Sequence, residues 1–173
     1  INVLARDPHR LLGLIHYSRG LLLESSNAQE SLAILEDARR ALPESTALLS
    51  AIAQIALRLG DHTLAQVRLS EQAQRLSSQG RDRESAWVWI QLGELWRQDL
   101  KTYENAERAF LRALELAPDM ISAYQGLAGL AEERGQNALA CQYLDQAIQV
   151  APRNHHATPL LEEMVKRLQN LSR

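Results

Sequence analysis

The most constraining feature of this sequence is a pattern that recurs after 34 residues. When the segment that ends in Ala117-Pro118 is shifted by 34 positions, it aligns with the segment that ends in Ala151-Pro152. The aligned pairs are Phe110 with Leu144, Ala113 with Ala147, Leu116 with Val150, and Pro118 with Pro152. A period of this length is typical of solenoids, in which each helix pair packs against its neighbours. The sequence therefore predicts a stack of helix pairs.

Apolar periodicity extends this prediction to the whole chain. Apolar residues recur at spacings of three and four, and no stretch alternates as a half-buried strand does. Hydrophobic residues make up 46% of the chain and charged residues 23%, which is ordinary for a folded protein. Nine helices are predicted, with approximate spans 6–24, 28–42, 46–59, 62–78, 84–99, 103–117, 121–134, 137–150 and 156–171.

The predicted helix ends have local chemical causes. Side chains that can cap a helix N-terminus precede several spans: Asn27 with Glu30 as a capping box, Ser45, Asp61 and Asp119. Gly60 and Gly135 follow helical spans and can adopt the left-handed conformation that ends a helix. The capping and helix-ending residues therefore predict the same helix boundaries as the apolar periodicity.

The motif residues of the third predicted helix pair identify a family. On its first helix stand Trp89, Leu92, Gly93 and Trp96, and on its second helix Ala106, Phe110, Ala113 and Pro118. In this pattern the chain resembles the tetratricopeptide repeat family. The next unit keeps Tyr124, Leu127, Ala128, Ala131, Ala140, Leu144, Ala147 and Pro152. Two earlier units match less well, through Leu49, Ile52, Ala53, Ala56, Ala65 and Leu69, and through Leu12, Gly13, His16, Ser31, Leu35, Ala38 and Pro43.

The resemblance implies an all-α fold, a right-handed superhelical stack of helix-turn-helix repeats with a C-terminal capping helix. We expect one domain over residues 1–173, with units 6–45, 46–79, 86–120 and 121–154. The polar residues 80–85 are predicted to be a longer connection between the second and third units. The segment 156–171 is predicted to be the capping helix, with one face docked and the other in water.

The resemblance also implies that the first helices of the units line an inner groove for a partner. Gly93, which lacks a side chain, should allow the second helix to approach closely, with Phe110 filling the space between. Ten side chains that point away from the predicted packing stripes are the candidate groove residues: Arg10, Tyr17, Gln54, Arg58, Trp87, Ile90, Glu94, Arg97, Gln125 and Glu132.

Trp87 is the most informative of these positions. A tryptophan opposite the packing face of its own helix exposes a large amphipathic ring, and such rings are frequent binding hot spots. The alternative is that Trp87 packs under the preceding helix or under the connection at 80–85. Both interpretations stay open at this stage.

The arginines of the predicted groove also have two interpretations. Arg10, Arg58 and Arg97 can bind a partner's carboxylates in a two-pronged geometry, or they can be a solvated face. The family's lysine- and asparagine-rich clamp for a terminal carboxylate is missing, because Arg10 and Leu14 occupy slots where that clamp needs basic and amide groups. A receptor for chaperone tails is therefore disfavoured.

Residues for catalysis are missing from the sequence. It has no phosphate-cradling glycine loop, paired-cysteine metal motif or nucleophile elbow, so we expect no enzyme, no cofactor and no metal. His9 and His16 fall in packing slots of the first unit and are interpreted as structural. Cys141 lies in an alanine-rich helix and is interpreted as a packing residue.

Charge and hydropathy restrict the partners. The 19 basic and 21 acidic residues give a net charge of −2, which does not favour nucleic acid, and no apolar run is long enough for a membrane span. We expect a soluble chain that binds a protein or peptide, in a cytoplasmic or periplasmic compartment. Because the sequence does not start with methionine, a scaffold segment of a larger protein is the alternative: a secretion-machinery component, a transcription activator's sensor arm or a transferase appendage. Self-association through Leu11, Leu14, Ile15 and Leu22 is also left open.

Overall fold

The computed structural model describes residues 8–23, 27–98, 102–151, 163–167 and 169. Every regular element in these residues is an α-helix, which confirms the all-α prediction. The helices are α1 (Pro8–Leu23), α2 (Ala28–Ala41), α3 (Thr46–Arg58), α4 (His62–Ser78), α5 (Asp82–Gln98), α6 (Tyr103–Leu116), α7 (Ile121–Glu133) and α8 (Asn137–Val150). The predicted spans agree with these bounds to within two residues. Residues 163–167 are also helical.

The chain divides into two compact units, Ile1–Gly80 and Arg81–Arg173. In the first unit, α1 packs on α2, α2 on α3, and α3 on α4. In the second unit, α5 packs on α6, α6 on α7, and α7 on α8, while α5 also contacts α7. The contact between α5 and α7 joins the first helices of two successive pairs, as a helical repeat requires. The prediction of one domain over residues 1–173 stays a prediction.

Three of the predicted helix caps are confirmed, and one is wrong. Asn27, Ser45 and Asp61 each accept a hydrogen bond from the backbone N–H three residues further on, at 3.2, 3.3 and 2.9 Å. Asp119 does not cap α7, which begins without a side-chain cap. Its carboxylate instead accepts hydrogen bonds from Arg83 at 2.8 Å. Arg83 of α5, and not the backbone of α7, is thus the hydrogen-bond donor to Asp119.

The predicted connection at 80–85 is much shorter than expected. Helix α4 continues to Ser78 and α5 begins at Asp82, so only Gln79, Gly80 and Arg81 lie between them. Gly80 has a φ of 71°, the left-handed conformation that commonly ends a helix. Asp82 and Glu84 place carboxylates in the first turn of α5, where the helix dipole favours negative charge. The additional residues therefore lengthen the helices to 17 residues each.

The core of the second unit is built around one aromatic ring between two glycines. Phe110 of α6 is fully buried. A methyl group added at Gly93 of α5 would lie 2.6 Å from the ring's Cε1 atom, and one added at Gly126 of α7 would lie 2.5 Å from its Cζ atom. The close approach predicted at Gly93 is thus present, and the structure adds Gly126 as its counterpart on the next helix pair.

The first unit uses similar close contacts between α1 and α2. Leu35, Leu48, Ile52 and Ile55 are fully buried at its core. A methyl group at Gly20 would lie 2.5 Å from Cδ2 of Leu35. Two more contacts hold α1 there: the buried hydroxyl of Ser31 donates a 2.6 Å hydrogen bond to the Gly20 carbonyl oxygen, and Gly13 lies against Ala41. The unit whose sequence matches the repeat pattern least well therefore still packs as a helix pair.

The described part of the predicted capping helix docks by one face. Met164 is 1% exposed and packs against Ala128, Leu144 and Ala147. Its immediate neighbours, Glu163 and Val165, are exposed. Residues 163–167 thus have the docked face and the solvent face predicted for this segment, whose remaining residues except 169 lie outside the described part.

Candidate partner-binding groove

Helix α5 carries a narrow exposed stripe in an otherwise buried surface. Trp87 is 50% exposed, although both of its chain neighbours, Ala86 and Val88, are buried. Gln91 and Gln98 are also exposed. Together with the half-buried Glu94, these residues are spaced by four, three and four positions, which places them on one side of a helix. We call Trp87, Gln91, Glu94 and Gln98 the exposed stripe.

Two of the predictions on α5 are changed by the structure. Trp87 is exposed, which removes the alternative that it is buried under a connection. The prediction that Ile90 points away from the packing surface is wrong, because Ile90 is 5% exposed and belongs to the core around Phe110. Helix α5 is contacted from two sides, by α6 and by α7, so its exposed arc is narrower than a single helix pair would leave. Gln91, one residue further on, occupies the arc instead.

Arg97, a predicted groove residue, is already paired within the chain. Its guanidinium donates to Glu94 at 2.7 Å and also to Glu133 of α7, and its side chain is 18% exposed. Burial alone would lower the pKa of Arg97, but the hydrogen bonds and charges of Glu94 and Glu133 outweigh it and raise the pKa further. Arg97 therefore stays charged and joins α5 to α7 beside the exposed stripe.

A second ion pair continues this row toward the C-terminus. Arg167 donates a 2.7 Å hydrogen bond from Nε to Glu132 of α7. Between the two arginines lies Gly129, where an added methyl group would be 3.5 Å from Nη1 of Arg97 and 3.6 Å from Nη2 of Arg167. Both guanidinium groups therefore lie over α7 at Gly129, at a distance where a methyl group would make ordinary van der Waals contact. Glu132, a predicted groove residue, thus belongs to an ordered row of charges.

The other predicted groove residues have different environments. In the second unit, Gln125 is half-buried on α7. In the first unit, Gln54 and Arg58 are exposed on α3, whereas Tyr17 is half-buried against the core. The side chain of Arg10 lies outside the described part of the chain. In the second unit, the candidate residues come together along α5 and α7. Three further residues lie with them and were not predicted from the sequence: Gln91, Gly129 and Arg167.

A separate cleft of about 510 Å³ lies between α5 and α6. It is lined by Trp89, Trp96, Asn105, Arg108, Ala109, Leu111, Arg112 and Glu115. Trp89 and Trp96 are half-buried and pack against the Phe110 core. These two tryptophans therefore stabilise the helix pair, which distinguishes them from Trp87.

The described residues offer no arrangement typical of an enzyme's metal centre. Among them, no three His, Cys, Asp or Glu side chains come together in a way that could hold a metal ion. His9 is exposed, and His16 and Cys141 are half-buried. None of the described helices has both the length and the apolar character needed to cross a bilayer.

In the second unit, two successive helix pairs interlock through small residues, and the first helix of the earlier pair keeps an exposed stripe. This arrangement is that of a helical-repeat protein. A family model of the tetratricopeptide repeat matches residues 88–120 and 121–154. Residues 88–154 therefore match two tetratricopeptide repeats, as the sequence motifs indicated. Two such repeats support a protein–protein interaction scaffold for this part of the chain. No curated protein matches the chain.

Solved structures with the same fold cover nearly the whole chain. A crystal structure of MamA superposes with a TM-score of 0.68 at 16% identity, covering 86% of this chain and 82% of that chain. MamA from residue 41 to the end, from Desulfovibrio magneticus RS-1, gives 0.63 at 17% identity over 95% and 88%. A chain of the APC/C hetero-tetramer Cut9–Hcn1 gives 0.62 at 19% identity, with 88% of this chain but 29% of that chain covered. At these identities the similarity shows the fold.

Proposed function

We propose that the second unit binds a segment of a partner protein along the exposed stripe of α5, with Trp87 as its anchor, and that it does so without catalysing a reaction. The observation that carries this proposal is the 50% exposure of Trp87 on a helix whose other large apolar side chains are buried or half-buried. Burial of a tryptophan ring against a partner removes a large apolar area from water, and such residues dominate many interfaces.

The neighbours of Trp87 suit the binding of a peptide backbone. Gln91 and Gln98 are exposed, and each carries an amide with a donor and an acceptor. The amide nitrogen of Gln98 already donates to Glu94 at 2.7 Å, and its carbonyl oxygen can accept from a partner. A partner in an extended or helical conformation has unpaired polar groups at its ends or along its length, and these need such partners once they leave water. The stripe thus offers one apolar anchor with polar groups beside it.

The charge row, which shares Glu94 with the exposed stripe, supports the stripe. Arg97, Glu94, Glu133, Glu132 and Arg167 satisfy one another within the chain, so their geometry is present before a partner arrives. A surface that is ordered in advance loses less conformational entropy on binding. We therefore assign Arg97 and Glu132 to holding the groove in shape.

A site-specific crosslinking experiment tests this proposal. The photoreactive amino acid p-benzoylphenylalanine is placed at Gln91, on the stripe, and in a matched variant at Leu111 of α6, which is 42% exposed but off the stripe. The proposal expects light-dependent capture of a defined partner from native extract at position 91 and much less at position 111. Equal capture at the two positions, or capture at position 111 alone, contradicts it.

A second candidate role is that of a scaffold segment within a larger protein. It is supported by the Cut9–Hcn1 comparison, where the same fold occupies 29% of a longer chain. Sequencing the natural transcript on both sides of this segment tests it. Flanking repeats or a catalytic domain in the same reading frame support this role, and a start codon and a stop codon at its ends remove it.

A further inference from the structure

The first helix pair exposes an apolar surface away from its core. On α1, Leu12 is 50% exposed and Ile15 is 53% exposed, and their spacing of three residues places them on one side of the helix. His9, His16 and Arg19 fall on the same side by the same arithmetic. We define the outer face as His9, Leu12, Ile15, His16 and Arg19 of α1 together with Glu30, Asp37 and Arg40 of α2.

A recess opens in this outer face. It has a volume of about 650 Å³ and lies between α1 and α2, where Leu12 and His16 face Asp37 and Arg40. At its floor, Gly13 lets α1 approach α2 so closely that a methyl group there would be 2.8 Å from Cβ of Ala41. The recess is open to apolar groups from outside because exposed Leu12 lies on its edge.

The charges of the outer face are balanced and arranged in opposite pairs. Arg40 lies 3.3 Å from Asp37, and their side chains are 80% and 55% exposed. Arg19 lies 3.7 Å from Glu30, with exposures of 65% and 46%. Each pair contributes one positive and one negative group, so the outer face has no excess charge of either sign from them. A second copy of the same face would not be repelled by it.

The C-terminal end of the second unit has a cover that the described residues do not give the outer face. Residues 163–167 cover Ala128, Leu144 and Ala147 with Met164 and turn charged side chains to the solvent. Helical repeats need such a polar end because each pair leaves an apolar side that only a neighbour can cover. Within the described part of the chain, Leu12 and Ile15 have no equivalent cover.

We propose that the outer face is the contact between two copies of this chain related by a two-fold axis. An axis that crosses α2 between Asp37 and Arg40 sets Asp37 of each copy opposite Arg40 of the other. The same axis brings Leu12 and Ile15 of the two copies together. A two-fold contact repeats each interaction, so a balanced pair of opposite charges on one surface is complementary to itself. This self-complementarity is why the occupant is a second copy and not an acidic or basic partner.

The dimer has a consequence for binding. Each copy carries its own exposed stripe with Trp87, so a dimer presents two partner-binding grooves. A partner with two binding segments would then be held more tightly than by one copy, provided that its linker spans both grooves. This proposal does not depend on the groove itself, since the residues of the outer face are separate from those of the stripe.

Charge exchange at Asp37 and Arg40 tests the proposal by sedimentation velocity of the full chain from low micromolar to several hundred micromolar concentration. The unchanged chain is expected to show a monomer and dimer in equilibrium. Either D37R or R40D alone sets like charges opposite each other, and each is expected to raise the dimer dissociation constant about tenfold or more. Mixing D37R with R40D restores opposite charges across the contact and is expected to restore association.

The controls separate loss of contact from loss of folding. Arg112 and Glu115 form a similarly exposed pair three residues apart on α6, so R112D is the matched variant and should leave association unchanged. Circular dichroism melting shows whether D37R and R40D remain folded. If the unchanged chain stays monomeric throughout, the second copy is excluded as the occupant. If neither exchange weakens the dimer, or if the mixture of folded variants does not associate, the contact lies elsewhere and the proposal is wrong.

Discussion

Arg68 of α4 donates a 2.8 Å hydrogen bond from Nε to the carboxylate of Glu36, which lies 32 residues earlier on α2. Arg39 donates to the other oxygen of the same carboxylate at 2.9 Å. Arg68 also donates to Glu71, which accepts a further hydrogen bond from Arg75. This chain of five alternating charges joins the second helices of the first two helix pairs, and Arg68 is its central member.

The charge of Glu36 should stabilise the first unit in a pH-dependent way. Burial alone would raise the pKa of Glu36, but the hydrogen bonds and charges of Arg68 and Arg39 outweigh it, so the pKa lies below its ordinary value of 4.5. A lowered pKa stabilises the folded state above the unfolded value, and this contribution disappears as the pH falls through the folded value. We expect E36Q to lower the free energy of unfolding by about 1 kcal/mol at pH 7.

Urea denaturation of both proteins between pH 7 and pH 3 measures this difference. The gap between the unchanged protein and E36Q should be full at pH 7 and should close as the pH falls below 4.5, because the protonated carboxyl then resembles the amide. E115Q, which removes an exposed carboxylate paired with Arg112 on α6, is the control and should have little effect at pH 7. A gap for E36Q that does not depend on pH would show that Glu36 acts by packing.

Two glycines of the second unit should respond to alanine in opposite directions. In G93A, the new methyl group would lie 2.6 Å from the Phe110 ring, so we expect a loss of about 1–3 kcal/mol from overpacking. In G129A, the nearest described atoms are side-chain atoms at 3.5 Å or more, so the better helix propensity of alanine should gain up to about 1 kcal/mol. Thermal melting of both variants measures these two changes in stability. A G93A variant more stable than the unchanged protein would disprove the tight contact at Phe110.

The docking of residues 163–167 depends on Met164. In M164A, a side chain that is 1% exposed is lost from the pocket formed by Ala128, Leu144 and Ala147, so we expect a destabilisation of about 2 kcal/mol or more. V165A is the matched control, because Val165 is the next residue and is 39% exposed. Denaturant titration of the two variants should separate them clearly. Similar midpoints would mean that this segment does not contribute to the core.

Much of this architecture could be predicted from the sequence, because its causes are local. The caps at Asn27, Ser45 and Asp61 depend on a side chain and a backbone N–H three residues apart. The left-handed ends at Gly60 and Gly135 depend on single residues, and both have positive φ. Such signals are complete within a few residues, so helices were placed to within two residues of their ends.

The errors arose where distant residues decide the outcome. Ile90 was predicted to line the groove because α5 was assumed to pack by one side only. In the structure, α7 covers a second side of α5. Asp119 was expected to cap α7, but Arg83, 36 residues earlier, binds its carboxylate. Arg97 was interpreted either as a ligand for a partner's carboxylate or as a solvated charge, but Glu133, 36 residues further on, accepts its hydrogen bond. Contacts between residues so far apart in the sequence cannot be predicted from a local pattern.

The affinity of the isolated partner segment for the unchanged chain and for W87A tests the central claim most directly. By isothermal titration calorimetry, with the segment identified by crosslinking at position 91, we expect W87A to lose about 2 kcal/mol, or roughly 30-fold in affinity. Its melting temperature should stay close to that of the unchanged chain, since Trp87 is half exposed. L111A should bind normally. Unchanged affinity in W87A, or a large drop in its melting temperature, would contradict the account.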